Sequence, residues 1–315
     1  MKELRVPYAA SVLDRSSELR LDKQGLAESW KSAKIIHLAR QRFLTDNSKL
    51  TFLSADQIAT LDKKFSEGLK IFLGIANGVH YFAYCTDVSQ VELTSFDEGG
   101  DSSYLNLREV DGIFSEFDIA ICIHAQSVSN WHHAHPKCAK CGKDTRPEKG
   151  GSIRICESCG AEHFPRVDPA IIVLLRDRQD RIILGRQKIW PAKRFSCFAG
   201  FVEPGESFEQ TVEREVLEEA GVAVSEIKYL TSQPWPFPAS LMISFEAVTD
   251  TPDLVKPDGE EIEEIIWLDR ETLKSRTDSG ELLLPPLISV ARAMINSWYG
   301  KDASKDLLGG ESWRN

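Results

Sequence analysis

The chain has 315 residues, of which 42% are hydrophobic and 27% are charged, the balance of an ordinary globular protein. At roughly 100–200 residues per domain, this length predicts two domains. No apolar run reaches the roughly 18 residues that a membrane helix needs. The net charge is −10, whereas a protein that binds duplex nucleic acid usually has a basic excess. This total does not exclude a local basic patch around Lys188, Lys193 and Arg194.

The first 135 residues predict a mixed α/β domain without a catalytic signature. The clearest local signal is Asn77-Gly78 between two β-rich runs, because both central residues of this hairpin turn need positive φ. The elements expected in chain order are an extended lead-in over residues 1–30, strands over 34–43 and 50–53, a hairpin over 71–86, a loop over 97–103 and a helix over 118–131.

Four of the seven cysteines form two CxxC pairs, Cys138 with Cys141 and Cys156 with Cys159. Each pair lets two thiolates bind one metal from a tight turn, and a glycine follows each pair where the backbone needs freedom. Four thiolates complete the closed shell of a structural zinc site, which predicts a zinc ribbon over residues 136–165. A redox pair would need a thioredoxin-like pattern around a single CxxC, and two matched pairs argue against it.

Three histidines, His132, His133 and His135, directly precede the first cysteine pair. Their position invites a ligand assignment. Because the four cysteines already supply a tetrahedral shell, we do not expect these histidines to bind the metal.

The remainder of the chain alternates strands and helices, which predicts an α/β sandwich over residues 166–300. The last helix is expected directly after Pro285-Pro286, since proline is tolerated at the start of a helix. The elements expected are strands over 170–175, 181–184, 195–202, 227–231, 241–248 and 264–268, helices over 207–220, 270–276 and 287–298, and a mobile tail over 301–315.

One helix carries an unusual concentration of negative charge. Residues 200–222 read GFVEPGESFEQTVEREVLEEAGV, so Glu215, Glu218 and Glu219 stand at i, i+3 and i+4 and share one face. Their mutual repulsion is explained if hard divalent cations such as Mg²⁺ or Mn²⁺ bind there. An acidic, solvent-exposed helix would show three glutamates just as well, and only the full spacing decides against it.

Other residues of the same stretch have predictable supporting roles. Glu206 lies on the loop before the helix, where Arg214 could pair with it or orient Glu215. Gly200 and Gly221 bracket the helix, and we expect both to supply the backbone freedom of tight loops.

The segment 232–240, SQPWPFPAS, follows this helix. Its alternating prolines fix an extended backbone and exclude an interior strand, because proline removes a ladder donor. An edge of aromatic and amide groups suits a flat ligand, and a buried turn with aromatic anchors fits these residues equally well.

These motifs together resemble a known family. The spacing Gly-x5-Glu-x7-Arg-Glu-Val-x-Glu-Glu-x-Gly-Val matches the signature of the Nudix hydrolases at every fixed position. SQPWPFPxS after that signature, with a four-cysteine ribbon before it, resembles the NADH pyrophosphatase (NudC-type) subfamily. The resemblance covers residues 130–298 and extends weakly into the amino-terminal domain.

The resemblance implies a Nudix α/β/α sandwich, a zinc ribbon and an amino-terminal mixed α/β domain. It implies metal-dependent hydrolysis of the pyrophosphate bond of NADH, and also of NAD⁺ or NAD-capped RNA ends, giving nicotinamide mononucleotide and AMP. The expected cofactors are catalytic Mg²⁺ or Mn²⁺ and one structural Zn²⁺ per chain, in a homodimer. Free dinucleotide ranks first, since no basic path for RNA can be located in so acidic a sequence.

The resemblance also assigns roles to individual residues. The catalytic set is Glu206, Arg214, Glu215, Glu218 and Glu219. The metal ligands are the backbone carbonyl of Ala199 with Glu215, Glu218, Glu219 and Glu261, for which Glu264 is the fallback. The substrate-binding set is Phe164, Phe201, Gln233, Pro234, Trp235, Pro236, Phe237, Pro238, Ala239, Ser240 and Ala291.

Four points stay open. Phe201 could be a core residue, as most phenylalanines are, and the family often has tyrosine at the position of Phe164, which puts a hydroxyl contact there in question. A degenerate Nudix fold could bind a dinucleotide without cleaving it, and a zinc-ribbon adaptor could bind nucleic acid. The amino-terminal residues lack the apolar core of a secretory signal and the last residues, ESWRN, are not an SKL-type address, so we expect the cytoplasm first and the peroxisome second.

Overall fold

The structure, a computed structural model, describes residues 4, 6, 13–64, 68–87, 102–110 and 113–307. The described residues divide into two compact units. One contains residues 13–167 together with 236–239, and the other contains 168–235 and 240–307. None of the described helices is both long enough and apolar enough to cross a membrane.

The amino-terminal unit is built on a mixed sheet with flanking helices. Its order is β3-β2-β1-β6-β5, with β4 paired to β1 and β7 paired to β2. Only the β1–β6 pair is parallel among these described strands. The elements are α1 (Ser17–Leu21), α2 (Lys23–Lys31), β1 (Lys34–Ala39), β2 (Arg42–Asp46), β3 (Lys49–Leu50), β4 (Phe52–Leu53), α3 (Ala55–Lys64), β5 (Leu69–Ala76), β6 (Val79–Thr86), β7 (Ser102–Asn106) and α4 (Glu116–Ala134).

The predicted hairpin and long helix of this unit are both present. β5 and β6 pair across Asn77 and Gly78, whose φ angles of 50° and 75° are the positive values that the turn requires. Helix α4 begins with a capping box, in which Ser115 accepts a hydrogen bond from the Asp118 backbone N–H while Asp118 accepts one in return. The cap explains why the helix begins two residues before the range expected from apolar spacing.

The expected extended lead-in is wrong for the described part of residues 1–30. Two short helices occupy 17–31, and the second is capped by Asp22, whose carboxylate accepts hydrogen bonds from Gln24 and Gly25. Leu26 and Trp30 pack on the core of the unit, a tertiary contact that a charged local sequence does not reveal. The expected single strand over 34–43 is two strands, joined by a turn at 40–41. The expected loop over 97–103 falls mostly outside the described residues, and its last two positions begin β7.

The zinc ribbon belongs to the same unit. Its three antiparallel strands lie in the order β10-β9-β8, which are β8 (Thr145–Glu148), β9 (Ile153–Cys156) and β10 (Glu162–His163).

The carboxy-terminal unit is the predicted sandwich. Its sheet runs β14-β15-β11-β12-β16, with β13 paired to β11 and with β11 and β15 parallel. The elements are β11 (Asp168–Arg176), β12 (Ile182–Gln187), β13 (Phe198–Phe201), α5 (Phe208–Ala220), β14 (Ser225–Trp235), β15 (Ser240–Val248), a 3₁₀ turn at Pro252–Leu254, β16 (Ile262–Leu268), α6 (Arg270–Asp278), α7 (Val290–Tyr299) and α8 (Ala303–Asp306).

Strand β11 shows why this sheet has a helix on each face. Successive strand side chains point to opposite faces, so Ile171 and Val173 pack with α5 while Ile172 and Leu174 pack with α7. A strand that is buried on both sides reads as a continuous apolar run, which is what the sequence shows at these positions.

The end of the chain differs from the sequence expectation. Helix α7 begins at Val290 after an N-cap hydrogen bond from the Ala291 N–H to Ser289, three residues later than the expected start at Leu287. Within the expected tail, α8 forms, and Ala303 and Leu307 are buried in the core around α7. Residues 308–315 lie outside the described part of the chain.

Candidate active site

Local sequence determines where the acidic helix α5 begins and ends. Ser207 and Gln210 form a capping box at its start, and Gly221 ends it in a left-handed conformation with φ of 72°. Val212, Val216 and Ala220 are buried against the sheet. The opposite side of the helix therefore presents its glutamates.

Glu219 is the most unusual of these glutamates. It is only 4% exposed, and its Oε2 has no hydrogen-bond partner among the described residues. Burial, together with the negative charges of Glu261 and Glu215, raises the pKa of its carboxyl to about 9, against a hydrogen bond from the backbone of Ala199. A buried carboxylate with an unpartnered oxygen is costly unless a bound cation supplies the missing partner.

Glu215 is held against Gly200 of β13. A Cβ atom added at residue 200 would overlap the carboxyl group of Glu215. The expectation that Gly200 supplies backbone freedom is wrong, because Gly200 lies in a strand and its φ is not among the positive values. Gly200 provides space for a carboxylate, whereas Gly221 does have the positive φ expected of it.

Arg214 joins the loop to the helix face. Its guanidinium donates to both oxygens of Glu206, at 2.7 and 3.0 Å, and to Glu215 at 2.8 Å and Glu218 at 3.0 Å. It also donates to the carbonyl of Phe201 at 2.9 Å. The bidentate pair, helped by a backbone donor, lowers the pKa of Glu206 to about 2. The two alternatives for Arg214, pairing with Glu206 or orienting Glu215, are both realised by one side chain.

The fourth carboxylate is better supplied by Glu261 than by Glu264. Glu261 is close enough to contribute to the raised pKa of both Glu215 and Glu219, and its Oε1 accepts a hydrogen bond from Gln187 at 2.6 Å. Glu264 instead pairs with Arg186 at 3.4 Å.

These residues fit the divalent cations that the fold implies. Hard cations such as Mg²⁺ bind carboxylate and carbonyl oxygens, and the charges of neighbouring carboxylates, Glu261 among them, help to raise the pKa of both Glu215 and Glu219. The unpartnered oxygen of Glu219 and the raised pKa of Glu215, which burial causes despite Arg214, are the features that a bound cation would relieve.

A cavity of about 220 Å³ extends from Glu219 and Ala199 into the sandwich. Ligand sites usually measure about 300–1,000 Å³, so this one suits one end of a dinucleotide. Of the expected substrate-binding residues, Gln233, Trp235 and Ala291 line it. Trp190, Met242 and Gln187 also line it and were missed, because no local motif marks them.

Gln233 has a structural role in this cavity wall. It is fully buried, and its amide donates to the Ile288 carbonyl and accepts from the Val290 N–H, both at 2.8 Å. The amide thus ties the edge strand β14 to the start of α7. Pro234 pairs within β14, and because β14 is an edge strand this agrees with the exclusion of an interior position.

The two aromatic residues expected to stack on the substrate are both exposed. Phe201 is 60% exposed and Phe164 is 65% exposed, so the alternative that Phe201 is a core residue is wrong. The two belong to different units.

The segment 232–240 is divided between the units. Residues 236–239 belong to the amino-terminal unit, where the Pro236 carbonyl accepts hydrogen bonds from Gln126 and Asn130 and the Pro238 carbonyl accepts one from Asn130. The Phe237 ring stacks against the guanidinium of Arg108 at 4.5 Å. Part of the expected substrate wall is therefore anchored in the amino-terminal unit, and its contact with substrate stays a prediction.

The four cysteines converge as a zinc site requires. Their sulfurs all lie within 4.8 Å of one another, with Cys138–Cys159 at 3.7 Å and Cys141–Cys156 at 3.5 Å. A tetrahedral shell with Zn–S bonds of about 2.3 Å places sulfurs roughly 3.8 Å apart. All four are free cysteines.

The neighbouring histidines take other partners. His132 is buried, contacts the Gly151 carbonyl and Arg154 at 2.7 Å each, and has its pKa lowered to about 4 by burial. His133 contacts Asp87. In the described residues the metal-binding group contains the four cysteines alone, although His163, missed in the sequence, lies 3.3 Å from the Cys138 sulfur.

Comparison with known proteins agrees with this geometry. Residues 166–284 match the NUDIX domain, and residues 133–164 match the NADH pyrophosphatase zinc ribbon domain. The NAD-capped RNA hydrolase NudC of Mycobacterium tuberculosis is 36% identical over 304 residues, covering 93% of this chain and 95% of that protein, and the Mycobacterium bovis protein of that name matches to the same extent. The human NAD-capped RNA hydrolase NUDT12 is 37% identical over 195 residues, covering 58% of this chain and 42% of that protein. The chain is therefore a Nudix hydrolase and belongs to the NADH pyrophosphatase (NudC-type) subfamily.

Proposed function

We propose that this enzyme hydrolyses the pyrophosphate bond of NADH to reduced nicotinamide mononucleotide and AMP. The observation that carries the proposal is the buried Glu219, whose Oε2 has no hydrogen-bond partner among the described residues, at a cavity sized for one end of a dinucleotide. Glu215, Glu218, Glu219 and Glu261, with the Ala199 carbonyl, would hold Mg²⁺ or Mn²⁺. Such cations, when bound, polarise phosphate oxygens and acidify coordinated water.

The protein's own groups have distinct tasks in this reaction. A carboxylate of the cluster, Glu219 or a neighbour, accepts the proton of the attacking water. The water oxygen bonds to one phosphorus, the bridging P–O bond breaks, and two monophosphates leave. Arg214 keeps Glu206, Glu215 and Glu218 in one arrangement, which reduces the reorganisation that the reaction needs.

The cavity supplies recognition. Its apolar and aromatic lining, which includes Trp190 and Trp235, accepts a flat ring of the substrate. The phosphates of the substrate then lie at the Glu219 end of the cavity. Phe201 offers an exposed ring on a backbone that Arg214 holds by its carbonyl, which suits stacking on nicotinamide. The fully buried Gln233 supports this wall through its bridge to α7 and is not a free hydrogen-bonding group for substrate.

NAD-capped RNA is the second candidate substrate. It requires the same bond cleavage, and the relatives covering nearly the whole chain are named for this activity. The homodimer, the choice between Mg²⁺ and Mn²⁺, the contribution of Phe164 and the cytoplasmic location stay predictions.

Product analysis tests the proposal directly. Purified protein incubated with NADH and Mg²⁺ or Mn²⁺ is expected to give equal amounts of reduced nicotinamide mononucleotide and AMP, detected by chromatography. Protein dialysed free of loosely bound divalent cations should be inactive on NADH until Mg²⁺ or Mn²⁺ is added, while the ribbon keeps its zinc. Binding of NADH without turnover under all metal conditions would instead identify a binding module.

A further inference from the structure

A second cavity lies within the amino-terminal unit, and it is lined by arginines from separate parts of the sequence. Arg40 and Arg42 come from the β1–β2 turn region, and Arg108 follows β7. The cavity measures about 410 Å³, within the range of about 300–1,000 Å³ usual for ligand sites. None of its described lining residues carries a carboxylate. The acidic total charge of the chain conceals this local basic site.

The arginines are only partly neutralised. Arg42 pairs with Glu109 at 3.0 Å. The Nε of Arg40 donates to the backbone carbonyl of Asp87 at 2.7 Å, which leaves its charge uncompensated. In the part of the chain that the structure describes, no ion pair joins Arg40 or Arg108 to a carboxylate. The cavity therefore attracts anions.

Arg108 also forms a flat surface. Its guanidinium lies over the ring of Phe237, 4.5 Å from the ring centre, and the residue is exposed. Nucleobases stack on aromatic rings and on the planes of arginine side chains, and the Arg108 guanidinium beside the Phe237 ring offers a charged planar group of this kind.

A buried acceptor completes the site. Gln126 lines the cavity and is only 1% exposed. Its Nε2 donates to the Pro236 carbonyl at 3.0 Å, which fixes the orientation of the amide, and its Oε1 has no partner among the described residues. A buried acceptor without a donor calls for an N–H or O–H group, which a phosphate alone does not supply in its ionised form.

We propose that this cavity binds one nucleotide of an RNA chain. The phosphate lies among Arg40, Arg42 and Arg108, the base stacks on the Arg108–Phe237 pair, and a base N–H donates to Gln126. Each of the four RNA bases has an N–H donor and a π face, so recognition does not depend on sequence. The inference rests on the proposed function in its capped-RNA form, for which the site would hold part of the RNA body.

The segment 232–240 contributes residues to a cavity in each unit. Gln233 and Trp235 line the cavity of the carboxy-terminal unit, while Phe237 and Pro238 line this one. A free mononucleotide has the same base and phosphate groups, and the experiment separates the two sources.

Binding is measured by fluorescence anisotropy with a labelled, 5′-phosphorylated RNA hexanucleotide in the absence of divalent cations, so that no turnover is needed. Arg40→Ala and Arg108→Ala are each expected to raise Kd at least fivefold. Each should also reduce the slope of log K against log salt by about 0.7, the value for one phosphate contact on a single strand. Arg276→Ala is the matched control, since it removes the same charge from an exposed position of α6 and should change Kd less than twofold.

Turnover supplies the second readout. Arg108→Ala should raise KM for NAD-capped RNA at least fivefold, with kcat/KM for NADH within twofold of the unaltered protein. Unchanged RNA affinity in both cavity variants, an equal loss in Arg276→Ala, or no RNA binding by the unaltered protein would each overturn the inference. The inference would also be overturned if AMP bound as tightly as the hexanucleotide and Arg108→Ala weakened the binding of AMP alone. The site would then hold a free mononucleotide. Failure to hydrolyse NADH would refute the proposed function without altering the binding result.

Discussion

The zinc ribbon and the face of α5 each bring together side chains that can bind a metal. They differ in whether backbone N–H groups stabilise the negative charge of those side chains. In the ribbon, backbone N–H groups of Lys140 and Cys159 point at the sulfurs of Cys138 and Cys156, at 3.3 and 3.5 Å. Beside α5, the buried oxygen of Glu219 has no such donor in the described residues. Backbone donors to the ligands suit a closed, permanent shell, whereas a buried carboxylate oxygen without a donor is a cost retained at a site of chemistry.

The largest expected effect comes from opening the ribbon. Cys138→Ser should release zinc and destabilise the protein, because the apparent binding free energy of structural zinc, about 10–16 kcal/mol in zinc-finger peptides, is folding free energy. Elemental analysis should find about one zinc per chain before the change and much less after it, with a lower melting temperature.

Ser158→Ala is the control for the ribbon, since Ser158 is exposed in the second knuckle and is not a ligand. It should keep the zinc and the melting temperature. A zinc-free Cys138→Ser protein that melts at the original temperature would refute a structural role for the zinc.

Glu219→Gln tests the other half. Shape is retained and a charged ligand is lost, so kcat for NADH should fall at least 100-fold, which corresponds to about 2.7 kcal/mol. The melting temperature without divalent cations should not fall, since burial raises the pKa of Glu219 to about 9, so the group is already mostly neutral there, and the amide has nearly the same shape. The two metal groups would then respond oppositely, one through stability and one through rate.

Glu213→Gln is the matched control for this change, because Glu213 is an exposed glutamate of the same helix. It should leave turnover and stability close to those of the unaltered enzyme. Near-normal turnover by purified Glu219→Gln would contradict the assignment of this carboxylate.

The smallest of these effects concerns recognition. Stacking of a base on an aromatic ring is worth about 1–3 kcal/mol, so Phe201→Ala should raise KM for NADH roughly tenfold. Because the ring is 60% exposed, the melting temperature should change little. ADP-ribose, which lacks the nicotinamide ring, should be affected less, and an equal loss on both substrates would argue against stacking.

Residue spacing in the sequence predicted those features that depend on residues close together along the chain. The i, i+3, i+4 pattern placed Glu215, Glu218 and Glu219 on one face, and the CxxC pairs identified the ribbon. The Asn77-Gly78 turn and the double-faced β11 followed from rules of backbone angle and side-chain alternation.

What the sequence did not reveal depends on tertiary contacts. Trp190 lines the cavity beside Glu219 and Arg108 lines the second cavity without any motif around them, because their neighbours in space are distant in sequence. The same is true of Leu307, which is buried in the core although the residues just before it in the sequence are polar.

The space above Gly200 has a consequence for how related chains are to be classified. Because the carboxyl of Glu215 fills the position of a missing methyl group, a descendant with alanine at residue 200 could keep every glutamate and cysteine of this chain and still lose the alignment of its carboxylates. Counting acidic residues would classify such a paralogue as an enzyme. Sequence drift at one glycine is therefore a route to a pseudoenzyme that preserves fold, zinc and ligand-binding walls, and the residue at position 200 is the first one to inspect when a relative proves inactive.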